Sequence, residues 1–468
     1  MERRDFIRTA GTAAAAAAMA GIAGGCGGDG RKRILSRRRD SDEEDGQMIY
    51  RTDPKTGEEV SLLGYGCMRW PMKKDDDGDE GNRTIDQDSV NELVDYAIAH
   101  GVNYFDSSPV YLQGQSEAAT GLALSRHPRE SYFIATKLSN FSDWTRENSM
   151  LMYRKSFEHF RTDHIDYYLL HAIGRSMDDF NKRYIGNGML DFLMKEREEG
   201  RIRHLGYSFH GGRKAFDELL ATHGKYSWDF VQIQMNYLDW SHADSGNCNA
   251  DYMYGELAAR GIPVIIMEPL RGGGLTRLPE NDIDAMLERA PGESVASWAF
   301  RFAGTPEHVL TVLSGMTYME HLKDNLHTFS PLVPLSGEET DFLGKVADNL
   351  SRYPIIHCTG CQYCMPCPYG IDIPGNFSHY NKCVNEGFTI PEPESGSGNF
   401  TEEMKAYRKA RRAYLVSYDR SLAKIRQANR CIGCGQCVSH CPQNIRIPSE
   451  LRRIDLLVEE LRSHSDRL

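Results

Sequence analysis

From residue 61 onward, short apolar runs alternate with longer stretches whose apolar residues recur at helical spacing. The apolar runs occupy 61–67, 102–106, 132–136, 165–171, 202–208, 230–235, 264–267 and 309–313. Each is short and apolar on successive positions, as expected of strands buried on both faces. Between them lie helical patterns at 89–100, 116–125, 145–161, 185–199, 213–223, 252–260, 295–303 and 319–328. In the first of these, Leu93, Val94, Ala97 and Ile98 share one face. Gly101, Gly200, Gly224 and Gly261 fall just past helix ends, where a left-handed residue closes the last turn. Ahead of the alternation, 48–51 and 60–63 flank the turn-forming stretch 53–57, which predicts a hairpin.

Strict strand–helix alternation over about 300 residues predicts a closed (β/α)8 barrel. The competing open, doubly wound sheet calls for a G-x-G-x-x-G turn after an early strand. Gly64-Tyr65-Gly66 begins that pattern, but Arg69 stands where its third glycine belongs. The expected fold is therefore α/β: a TIM barrel over 48–346, followed by a mainly helical, cysteine-bearing domain over 347–468.

Chemistry in such a barrel gathers at the C-terminal ends of the strands. The second strand ends in Asp106, with Tyr111 one short loop beyond; the third is followed by Lys137, and the fourth ends in His171. Taken singly, Asp106 is a turn former, Lys137 a rim charge and His171 a core imidazole. Together, on three adjacent strand ends, they make a proton-donating set. A phenol has an ordinary pKa near 10, and a nearby ammonium is expected to lower it. Asp106 would fix Lys137, and His171 would orient a carbonyl.

With these four positions in place, the stretch from 48 to about 325 resembles the aldo/keto reductases. The resemblance implies Asp106, Tyr111, Lys137 and His171 as the catalytic tetrad. It also implies a nicotinamide cofactor, NADP(H) or NAD(H), held without the Rossmann glycines. Ser208 and Gln234 match the positions that hold the carboxamide, although Phe209 replaces the family's Asn. Met267 stands where an aromatic usually stacks, ahead of Pro269 and Leu270. Arg271 and Gly273, within Gly272–Gly274, resemble the phosphate loop; Ser314, Gly315, Met316, Asp324 and Asn325 resemble the adenosine end. His321 lies where many members carry an Arg for a 2′-phosphate. Trp70, Trp144 and Tyr237 are candidate mouth aromatics for a small carbonyl or alcohol substrate.

The C-terminal third has a different character. Cys358, Cys361, Cys364 and Cys367 stand three apart before a proline; Cys431, Cys434, Cys437 and Cys441 repeat the run with one extra residue before the last. The second run is the bacterial [4Fe–4S] spacing, and two such runs fit cubane clusters better than zinc knuckles. Resemblance to two-cluster ferredoxins implies that each fourth cysteine serves the other cluster. Cys358, Cys361, Cys364 and Cys441 would then hold one, and Cys431, Cys434, Cys437 and Cys367 the second. Cys67, Cys248 and Cys383 are left as structural residues.

Charge and the N-terminus narrow the setting. A net charge of -11 argues against general nucleic-acid binding. Residues 1–26 pair Arg3-Arg4 and Phe6 with a mild Ala/Gly-rich run, which resembles a twin-arginine export signal. Cys26 is a candidate lipid anchor to the membrane, and 27–47 reads as a solvated tether. The expectation is an exported reductase, periplasmic or membrane-anchored, with clusters that serve a redox partner protein. Its rival is a non-catalytic redox sensor or electron-relay protein that uses the barrel to bind a ligand.

Overall fold

The computed structural model describes residues 47–73, 84–244, 246–393 and 400–463. The expected export signal, Cys26 and nearly all of the 27–47 tether lie outside the described residues. Strands β1 (Tyr50–Thr52) and β2 (Glu59–Ser61) pair antiparallel as the predicted hairpin, and Val60 enters the floor of the barrel beside Leu310. The first barrel strand, β3 (Leu63–Gly66), follows after one residue. It is shorter than the predicted 61–67, because Ser61 stays in the hairpin and Cys67–Arg69 turns into a 3-10 helix.

Seven further strands complete the barrel: β4 (Tyr104–Asp106), β5 (Phe133–Leu138), β6 (Ile165–Ile173), β7 (Ile202–Phe209), β8 (Val231–Gln234), β9 (Val264–Met267) and β10 (Val309–Ser314). All neighbours are parallel, and β10 closes on β3. Tyr104, Tyr167, Phe230 and Leu310, contributed by alternate strands or the residue just before one, fill the interior. The Tyr104 and Tyr167 rings meet edge-on at 5.0 Å, and Tyr167 and Phe230 at 5.2 Å. The barrel is thus a packed core, and its rim alone is free to carry a site.

The helix predicted at 185–199 begins only at Met189, because 181–185 forms a wider π turn. Glu280–Arg289 and Gly337–Leu350 are helices that the strand–helix count did not need. The second is held by a capping box, with Ser336 and Glu339 bonding reciprocally. Its Leu343, Val346, Ala347 and Leu350 belong to the barrel core, so residue 346 falls inside a barrel helix. A separate core starts at Ile356 and is built by helices Ile373–Asn385, Phe400–Ser421 and Ile447–Ser463. Among the described residues no helix is long and apolar enough to cross a membrane.

Candidate active site and cluster domain

Parallel registration brings the tetrad residues to one end of the barrel, with Asp106 level with Ala135 and Lys137 level with Leu169. Nζ of Lys137 lies 2.5 Å from Oδ1 of Asp106 and 2.7 Å from the Ser107 carbonyl, while Gln232 Nε2 donates to the other Asp106 oxygen at 3.2 Å. Both charges are buried. Burial pushes the Asp106 carboxyl up and the Lys137 ammonium down, and each partner opposes the other's shift.

Tyr111 sits on the one-turn 3-10 segment Tyr111–Gly114, and its ring lies 4.8 Å from Lys137 Nζ. The sequence led us to expect a phenol softened by that ammonium. The phenol is instead held well above 10, first by burial and then by Tyr363 and Asp106. Lys137 is already committed to Asp106 and the Ser107 carbonyl. His171 meets the Tyr111 ring edge-on at 6.0 Å. Its Nδ1 contacts Ser139 Oγ at 2.5 Å, and Arg183 Nη2 donates to its carbonyl at 2.7 Å. Burial and the cations Lys137 and Arg183 hold the imidazole well below its usual pKa, so it is neutral.

The expected cofactor positions follow one another around the rim on β7 to β10. Ser208 Oγ accepts from the Ala172 backbone at 2.8 Å, and Phe209 is buried against Phe216. Gln234 Nε2 donates to Asp239 at 2.6 Å. Pro269, Leu270 and Arg271 follow β9; Arg271 Nε is 3.3 Å from Asp239, and its buried Nη2 makes no hydrogen bond. Around Gly273 there is open space. At the other end, Asn325 donates to Ser314 Oγ at 2.8 Å, Asp324 accepts from Ser294 at 2.7 Å, and the Arg69 side chain lies over Gly315. Met316, beside them, is buried and its carbonyl accepts from Tyr65. An amide, a guanidinium nitrogen that is 3.8 Å from Asp244 but makes no hydrogen bond, and an open glycine turn are the donor chemistry a dinucleotide takes, so the barrel residues fit one in kind.

A cavity of about 990 Å³ lies beyond Tyr111, between the barrel mouth and the cysteine domain. Trp70 and Phe141 line it; Trp144 is exposed elsewhere and Tyr237 is packed on Phe302, so neither reaches it. The residue that sequence reasoning missed is Tyr363, from the first cysteine run. Its hydroxyl is 3.4 Å from His171 Nε2, and its ring stacks at 6.5 Å on Tyr111. Gln443, just after the second run, was missed as well: its Nε2 donates to Gln234 Oε1 at 2.9 Å. The signals were an aromatic inside a cysteine loop and an amide just past one, neither with a partner near in sequence.

The eight thiols fall into two fours. Cys358, Cys361, Cys364 and Cys441 line one hollow, and Cys437 has Cys431, Cys434 and Cys367 as its electrostatic neighbours. Among the described residues no three His, Cys, Asp or Glu side chains converge on a single-ion site. Thiols around a cubane stand farther apart than ligands to one ion, so these fours fit clusters. The spare Cys67, Cys248 and Cys383 are buried.

Residues 62–346 match the model of the aldo/keto reductase family, and residues 357–445 that of a 4Fe-4S dicluster domain. A probable aldo-keto reductase of Glycine max is 31% identical over 186 residues, 38% of this chain and 49% of its own length, so the match spans about half of that relative. Among solved structures, an aldo-keto reductase from Bacillus halodurans in its holo form superposes with a TM-score of 0.51 at 22% identity, over 64% of this chain and 96% of that one. An aldo-keto reductase from Klebsiella pneumoniae in complex with NADPH gives 0.50 at 20% identity, over the same shares.

Proposed function

The chain belongs to the aldo/keto reductase family and joins its barrel to a 4Fe-4S dicluster domain, and from that membership we propose a NAD(P)-dependent oxidoreductase that interconverts a small-molecule carbonyl and its alcohol. The observation that carries this reading is the buried Lys137–Asp106 pair, 2.5 Å apart, beneath the Tyr111 ring and beside a neutral His171. A nicotinamide bound there would supply hydride chemistry at the carbonyl or alcohol carbon.

Tyr111 gives its phenolic proton to the carbonyl oxygen; held above its usual pKa, it keeps that proton at neutral pH. Lys137, fixed by Asp106, keeps a positive charge against the ring as phenolate character develops. The Ser139 hydroxyl holds the neutral His171 ring at Nδ1, which leaves Nε2 facing the mouth to bond the substrate oxygen. Ser208 and Gln234 would hold the carboxamide. Pro269, Leu270, Arg271 and Gly273 would hold the pyrophosphate side, and Ser314, Gly315, Met316, Asp324 and Asn325 the adenosine end. The NADPH-bound relative supports a nicotinamide here.

In this reading two [4Fe–4S] clusters carry single electrons to or from a redox partner protein. The pair Arg3-Arg4 with Phe6 supports export by the twin-arginine route, with Cys26 as a membrane anchor. Exchanging Arg3 and Arg4 for lysine should leave the protein in the cytoplasm; normal export would reject that route. The catalytic reading is tested by Tyr111→Phe, assayed with NADPH on a panel of aldehydes, ketones and sugars. Turnover should fall about 10²–10⁴-fold with NADPH affinity kept; unchanged turnover refutes the role.

A further inference from the structure

The dicluster domain meets the barrel mouth at several points, and at two of them it presents a group of the kind the reaction's own ligands carry. Tyr363 places a hydroxyl 3.4 Å from Nε2 of His171, with its ring stacked on Tyr111. Those are the two side chains that would grip the substrate oxygen. Gln443 places a carboxamide on Gln234, 2.9 Å away, and is buried there. Gln234 is the side chain assigned to the nicotinamide carboxamide. Between these points the Thr359 carbonyl accepts from Arg69 Nη2 at 2.8 Å and presses on the backbone of Gly272. Gly272 has φ +65°, and a Cβ there would overlap that carbonyl, so only glycine suits the position as it stands. The loop meant for pyrophosphate is therefore covered by dicluster backbone at Gly272, while Gly273 beside it stays open.

The docked contact is specific and incompletely satisfied. Arg175 Nη2 donates to the Val438 and Cys441 carbonyls at 3.2 and 2.9 Å, and Asn444 Nδ2 donates to Asn247 at 2.9 Å. Yet Gln443 Oε1 and Arg271 Nη2, both buried, find no hydrogen bond among the described residues. A ligand that satisfies such atoms gains over the contact it displaces.

We propose that the dicluster domain is a built-in competitor of the nicotinamide: Tyr363 and Gln443 stand in for the substrate oxygen and the cofactor carboxamide, and the domain lifts from the mouth before the nicotinamide ring enters. This rests on the nicotinamide reading above. The test titrates the full-length protein, both clusters loaded, with NADPH and with NADH by calorimetry. The double variant Tyr363→Ala/Gln443→Ala, with its cluster absorbance intact, should bind at least ten-fold more tightly than the parent. Equal affinity overturns the competition and leaves the cofactor reading standing. Binding to neither protein overturns the cofactor reading, and the competition falls with it. A second measurement needs no variant. At saturating NADPH, amides of 359–363 and 441–444 in the parent should exchange hydrogen faster; unchanged or slower exchange overturns the proposal.

Discussion

The hydroxyl of Tyr363 lies 3.4 Å from Nε2 of His171, although 192 residues separate them in the chain. The contact ties a loop between two cluster cysteines to the group that would orient substrate. Removing the hydroxyl while keeping the ring should ease entry of a substrate oxygen. Tyr363→Phe is expected to lower KM about 2–10-fold, the worth of one neutral hydrogen bond, with kcat little changed. Steady-state kinetics decide it, and a raised KM would mean that the hydroxyl holds substrate instead of opposing it.

Lys137 and Asp106 are buried together, and neither has water to fall back on. Replacing Lys137 by Met strands a carboxylate in the barrel mouth. Urea unfolding should show a loss of about 3–5 kcal/mol, much of it recovered when Asp106→Asn is added. Full additivity of the two substitutions would contradict the pairing.

Acid should weaken the fold through His171. Below pH 6.5 the unfolded chain puts a proton on this ring, while the folded protein refuses it because burial, Lys137 and Arg183 favour the neutral form. The unfolded state then binds more protons, so stability falls as pH drops from 6.5, by about 1.4 kcal/mol per pH unit for a single ring. The stability difference between the parent and His171→Gln should therefore shift against the parent between pH 6.5 and 5. A constant difference would show an ordinary imidazole. In the reduction direction, kcat should stay flat up to pH 10, because the Tyr111 phenol keeps its proton above that value.

The cysteine grouping predicts a pattern of iron loss. Cys441 shares its hollow with Cys358, not with the run it belongs to in sequence. Cys441→Ser and Cys358→Ser should each remove about half of the iron, and the double variant no more than either. Cys441→Ser with Cys431→Ser should remove nearly all of it. Iron analysis with electron paramagnetic resonance of the reduced protein reads both outcomes; additive loss in the first pair would break the grouping.

Much of this was written in local pattern. Eight apolar runs located the barrel, and strand ends located Asp106, Tyr111, Lys137 and His171, because strand periodicity and turn chemistry act over a few residues. A helical stretch was expected at 402–426 and is found as Phe400–Ser421, but Ile373–Asn385 and Ile447–Ser463 were passed over, because their apolar faces are set by packing on one another. Tyr363 and Gln443 were beyond reach for a different reason. Between Cys361 and Cys364 a tyrosine looks like loop filling, and only the docking of two domains gives it His171 as a neighbour. The pKa of Tyr111 went the other way from expectation because a list of charges near in sequence says nothing of how dry the site is.

The helix Gly337–Leu350 is built into the barrel core, and the second core begins at Ile356. Tyr353 and Ile355 already pack on that second core, so only 351 and 352 join the two, a leash that spans about 10 Å at full stretch. Once lifted, the dicluster domain therefore stays near the mouth, at an effective concentration in the millimolar range. A nicotinamide in solution contends with a rival that cannot be diluted away. The occupancy of the barrel should then depend on the concentration of the cofactor and hardly at all on that of the protein.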